Sequence, residues 1–191
     1  MTTITPLAIP EVLLITPKRH GDARGWFAET WSRKTLAEAG IDPEFVQDNQ
    51  AFNAKKGTLR GLHFQKAPHP QAKLVRCLRG AILDVVVDVR HESPRLGDHV
   101  AVELSDRNHR VIWVPPGFAH GTFALEDGTI VLYECTSEHG PGREGGILWN
   151  DPALGIAWPD IEPIVSEKDT VAPMLRAWLE DPHSRHFRFA G

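Results

Sequence analysis

Several residue types are scarce in this chain, and each scarcity excludes something. It has 191 residues but only two cysteines, two methionines and one tyrosine. Cys77 and Cys135 lie in strand-like surroundings, so buried thiols in a cytoplasmic protein are expected rather than a disulfide framework. No apolar run approaches the roughly 20 residues that cross a bilayer, so no membrane partner is expected. Met1 to Pro10 lacks a basic region followed by an apolar stretch, so a secretory signal is not expected. Excess positive charge is also missing: the net charge is −4, which does not suggest nucleic-acid binding.

What is present fits one globular domain over residues 1–191 with a short C-terminal helical tail. The 15 prolines and 16 glycines punctuate many short apolar runs. Val12–Thr16, Leu74–Leu78, Ala81–Val89, His99–Leu104, Val111–Val114 and Thr129–Cys135 read as strands. Turn signals stand at Gly21-Asp22, Arg79-Gly80, Ser93-Pro94, Pro115-Pro116-Gly117, Asp127-Gly128 and Gly140-Pro141-Gly142. That spacing predicts an all-β barrel or sandwich. Ser32–Ala39 reads as a helix capped by Ser32 and stopped by Gly40, and Ser166–Ala172 and Pro173–Leu179 as short helical pieces.

Two segments spend polar side chains where a packing strand would not. Gly57–Gln65 alternates like a strand but carries Arg60, His63 and Gln65, with Lys73 close behind. Its leucines mark it as partly buried, so Arg60, His63 and Lys73 are expected to point into a cavity. In Ala81–Val89, Asp84 and Asp88 share one strand face. That face is either solvent-exposed, a paired structural site, or turned toward the cavity of His63.

Pro115-x-Gly117-x-x-His120 after a strand resembles the second motif of the cupin superfamily. The first-motif counterpart is His63-Phe64-Gln65, without the expected glutamate, which leaves two imidazoles as a poor metal set. The wider pattern is similar to the dTDP-4-dehydrorhamnose 3,5-epimerase family. It is carried by Asp22–Glu29, Phe45–Gln50, Gly57–Gln65, Lys73–Arg76, Trp113–Gly121, Tyr133–Thr136, Trp149–Ile156 and Ser166–Asp169, in order along the chain.

This resemblance implies a cupin-type jelly-roll β-barrel with a few short helices. It also implies an enzyme acting on a dTDP-4-keto-6-deoxyhexose without metal or redox cofactor. A C4 ketone acidifies the C3 and C5 hydrogens, and a base near neutral pKa must remove them. The resemblance makes His63 that base, Asp169 its orienting carboxylate, Lys73 the cation for the enolate oxygen and Tyr133 the acid on the opposite face. It assigns Arg24, Phe27, Glu29, Gln47, Asn49, Arg60, Lys73, His120, Glu144 and Lys168 to substrate contacts. It also implies a cytoplasmic homodimer whose N-terminal segment reaches the neighbouring site. His139 stands where the family carries a pocket-lining tyrosine, so nucleobase preference and the number of inverted centres are the properties expected to differ.

Overall fold

In the computed structural model, residues 1–189 are described. The strands are β1 (Thr3–Pro6), β2 (Leu13–Thr16), β3 (Arg19–Asp22), β4 (Gly25–Ala28), β5 (Gln47–Asn53), β6 (Leu59–Gln65) and β7 (Lys73–Arg79). They continue with β8 (Ala81–Asp88), β9 (His99–Ser105), β10 (Val111–Val114), β11 (Phe118–Ala124), β12 (Thr129–Cys135) and β13 (Glu144–Gly146). Helices are short: α1 (Arg33–Glu38), α2 (Glu167–Thr170) and α3 (Leu175–Glu180). Two antiparallel sheets form the body, one of six strands in the order β1-β2-β10-β7-β12-β5 and one of five in the order β13-β6-β11-β8-β9. Among the described residues, β3 and β4 pair only with each other, as a hairpin.

The alternation of side chains explains why the sheets stack. Ile82 and Val86 of β8 meet Val75, Cys77, Ile112 and Val131 in the core between the sheets. The odd-numbered Val85 and Val87 turn the other way, under Leu175, Trp178 and Phe187 of the C-terminal segment. Both faces of β8 are thus covered, which accounts for its nearly continuous apolar sequence. On the outer face of the six-stranded sheet, Leu36 of α1 packs with Leu13, Ile15, Leu74 and Trp113. Ser32 caps α1 by accepting a hydrogen bond from the Thr35 amide, as its sequence predicts.

One irregularity in β6 positions the site. His120 of β11 is paired with His63, but two residues further on Thr122 is paired with Arg60, three residues back on β6. The extra residue is a β-bulge, and it reverses the facing of β6 between Arg60 and His63. In a regular strand those two residues would lie on opposite faces. Gly61 sits in the bulge at φ +140°, and a Cβ there would come 2.5 Å from the Cα of Gly121. Only glycine fits that backbone and that approach.

Candidate active site

Between the sheets lies a cavity of 480 Å³. His63, Arg60 and His120 reach it from the five-stranded sheet, Lys73 and Tyr133 from the six-stranded sheet, and Lys168 and Asp169 from α2. A second hollow of 220 Å³ shares His63, Lys73, Tyr133 and Lys168 with it, and extends toward Gln47, Asn49, His139 and Glu144. The two together make one cleft.

His63 Nε2 donates to Asp169 Oδ1 at 2.6 Å across 106 residues of sequence. Asp169 is only 3% exposed. The segment before it is tied to β6 itself: the Leu59 amide donates to the Ile164 carbonyl at 2.9 Å, and the Ile164 amide to the Gly57 carbonyl at 2.8 Å. The strand that carries the imidazole therefore also anchors its carboxylate. With Nε2 as the donor, Nδ1 is the ring nitrogen with a free lone pair. Burial pushes the His63 pKa down; Asp169 opposes this, and Lys168 and Lys73 add to it. The ring is thereby kept neutral, the form in which it accepts a proton.

Tyr133 shows the reverse tuning. Burial raises its pKa, Cys135 adds to the rise and Arg60 opposes it, so the phenol keeps its proton. Lys73 Nζ stands 5.7 Å from the centre of the Tyr133 ring. Burial lowers the lysine's pKa, against Cys135 and Asp84. A neutral imidazole, a protonated phenol and a lysine amine thus line one cavity from two opposed sheets. Such a set can take a proton from carbon, stabilise the resulting oxyanion and return a proton from another direction.

Arg60 is partly committed to the protein: its Nε donates to Asn53 Oδ1 at 2.8 Å and its Nη2 to the Phe52 carbonyl at 3.2 Å. At the rim, His139 Nε2 lies 3.1 Å from Glu144 Oε1, and the His139 amide donates to Gln47 Oε1 at 2.8 Å. Gln65, which stands where a metal-binding cupin would have its second histidine, is a backbone clamp. Its Nε2 donates to the His69 and Glu138 carbonyls, and its Oε1 accepts from the Gly140 amide.

Three expected substrate contacts lie elsewhere in this chain. Arg24, Phe27 and Glu29 belong to the β3–β4 hairpin region and line neither hollow. Arg24 is held by Asp22 at 2.5 Å with its side chain 90% exposed, and Phe27 is 73% exposed. The hairpin touches the barrel through Trp26, whose ring centre is 4.5 Å from that of His109, and through Arg19, which donates to His109 Nε2 at 2.9 Å. The sequence carries a signal for one further residue: Asp84, on the inward face with Asp88, accepts from His120 Nε2 at 2.9 Å. Asp88 serves structure instead, binding Arg90 and Ser93.

The family model described as dTDP-4-dehydrorhamnose 3,5-epimerase matches residues 6–177. The chain belongs to that family. A dTDP-4-dehydrorhamnose 3,5-epimerase from Salmonella typhimurium is 48% identical over 177 residues, covering 92% of this chain and 96% of that protein. Among solved structures, the dTDP-6-deoxy-D-glucose-3,5-epimerase of Legionella pneumophila, in complex with dTDP-4-keto-L-rhamnose, superposes with a TM-score of 0.93 at 40% identity over 100% of both chains. A 3'-monoepimerase from Streptomyces bikiniensis in complex with dTDP-quinovose gives a TM-score of 0.87 at 37% identity, covering 92% of this chain and 89% of that one. The two sheets are thus the cupin-like barrel expected of the sequence, and the protein is an isomerase of the epimerase type.

Proposed function

We propose that this epimerase inverts C3 and C5 of dTDP-4-keto-6-deoxy-D-glucose, giving dTDP-4-keto-L-rhamnose. The observation that carries the reading is the His63–Asp169 pair at 2.6 Å in one cavity with Lys73 and Tyr133 of the opposite sheet. His63 Nδ1 removes the proton from the carbon beside the ketone. The electrons of the broken C–H bond form a C=C bond, and the carbonyl electrons move onto the C4 oxygen, which faces the Lys73 ammonium. Tyr133 then gives its phenolic proton to the opposite face of that carbon and the ketone re-forms. Water restores the proton to Tyr133 and removes it from His63, and the second centre follows by the same steps. Asp169 stabilises the transient imidazolium.

Arg60 and Lys168 suit the diphosphate, with Gln47, Asn49, His139 and Glu144 toward the nucleoside. His120 contacts the sugar. Arg24, Phe27 and Glu29 are exposed in the hairpin region and line neither hollow of the cleft, and we assign them to the site of a second copy in a homodimer. No helix among the described residues is long and apolar enough to cross a membrane, and both cysteines are free and buried, which suits a reducing cytoplasm.

A single-centre epimerase is the second reading, favoured by the structural likeness to a 3'-monoepimerase. Turnover of dTDP-4-keto-6-deoxyglucose in deuterated water separates them. Deuterium at both C3 and C5 is the expected result. Label at one carbon establishes the second reading, and binding without label overturns both. A His139→Tyr variant is expected to shift the product ratio or nucleotide preference while leaving exchange by His63 intact. Unchanged values would remove His139 from the specificity argument.

A further inference from the structure

One buried acid in the site has no part in the steps above. Asp84 is fully buried on the inward face of β8, directly behind His120. Its Oδ2 accepts from His120 Nε2, while its Oδ1 has no hydrogen-bond partner among the described residues. A bare anionic oxygen in an apolar interior is costly unless a charge nearby compensates it. The cation facing that interior from the other sheet is Lys73. We propose that Asp84 is a positioning residue of the epimerase site, which fixes the His120 imidazole through Nε2 and serves as the counter-charge to the Lys73 ammonium. The inference rests on the epimerase reading above, because it gives Lys73 an enolate to meet.

The groups around Lys73 support this. Arg60 and His63 on β6, His120 on β11, Tyr133 on β12, His139, Glu144 on β13, and Lys168 and Asp169 on α2 share the cleft with it, while Cys135 on β12 and Asp84 on β8 act on it from behind the lining. Burial holds the Cys135 thiol protonated, and the Tyr133 phenol likewise, so neither is an anion at neutral pH. His63 and Lys168 bring no negative charge. Asp169 is bound to His63 and Glu144 stands beside His139, so Asp84 is the carboxylate without a charged partner of its own that opposes, along with Cys135, the lowering burial imposes on the lysine. On the other side of Asp84, a hydrogen bond from His120 Nε2 leaves His120 Nδ1 as an acceptor for a sugar hydroxyl.

The test is Asp84→Asn, which keeps the shape and removes the charge. Expected is a kcat at least about tenfold lower, with dTDP affinity within about threefold, because dTDP lacks the sugar that meets Lys73. The alkaline limb of the kcat–pH profile is expected to move to lower pH, since an ammonium without its counter-charge loses its proton sooner. His120→Asn, which leaves the Asp84 charge in place, should not move that limb. An unshifted limb in Asp84→Asn, or an equal shift in His120→Asn, would overturn the proposal. A second measurement needs no variant: ¹³C-NMR of the Lys73 ε-carbon in the native protein should show an ammonium at neutral pH, and a neutral amine there would refute the assignment. A native protein that incorporates no deuterium defeats the epimerase reading itself, whereas an active native protein with an indifferent Asp84→Asn defeats only this inference.

Discussion

Replacing Asp169 by Asn tests the proposed base most directly. The change leaves the volume of a buried side chain nearly constant and removes one charge. When His63 takes a proton from the sugar, a new positive charge appears beside the carboxylate. With charge centres about 4 Å apart and an effective dielectric of about 20, the attraction is roughly 4 kcal/mol. The His63 side chain is 34% exposed, so solvent screening reduces this. Halving it leaves about 2 kcal/mol, or about 30-fold in kcat. If Asn also reverses the imidazole tautomer, the loss grows toward the ~10⁴-fold seen when a His–Asp pair is broken in that way. The pH profile adds a sign. Asp169 raises the His63 pKa against burial, so its removal lowers that pKa further. The acid limb of kcat/KM should therefore move to lower pH while the plateau falls. The assay is the rate of solvent deuterium incorporation across pH, with thermal melting to confirm folding. A loss under about threefold, or an acid limb that stays in place, would refute the role given to the pair.

Tyr133→Phe should retain exchange of the acidic hydrogen at His63 but lose inversion by about 10²-fold or more, so NMR of the recovered sugar should show label without the new stereochemistry. Gly61→Ala should destabilise the barrel by about 3 kcal/mol, seen as a lower melting midpoint, because a Cβ would collide with the backbone of Gly121; an unchanged midpoint would mean that β6 and β11 separate freely. Arg24→Ala and His63→Asn, each inactive alone, should regain activity on mixing if the hairpin completes a neighbour's cavity. Activity no greater than the sum of the two would return Arg24 to its own chain.

The legible parts of the fold were those in which one face of a strand is apolar. β7, β8, β9, β10 and β12 carry β-branched or leucine side chains on the face between the sheets, and the sequence marks each of them. β5 left no such trace. Its Gln47 and Asn49 face the cleft instead of the core, so its polar sequence reads as loop. The β3–β4 hairpin is exposed along most of its length and has no alternation to read. Its turn lies between Asp22 and Gly25, beyond the expected Gly21-Asp22. The segments expected as helices near the end are shorter or shifted, to Glu167–Thr170 and Leu175–Glu180. In the site, family resemblance gathered His63, Lys73, Tyr133 and Asp169, and the structure places all four around one cavity. What no periodicity could show is how Arg60 and His63 come to share it. That needs the bulge at Gly61, a departure from the very alternation by which strands are recognised.

The bond from Ile164 to the start of β6 also divides the site along the chain. Every strand of both sheets has been made once the chain reaches Gly146, but Ile164 and Asp169 are still to come. The walls that the strands supply thus precede in the chain both Lys168 and the carboxylate partner of the imidazole. One short stretch, Ile164 to Asp169, therefore closes the cavity and completes its base together.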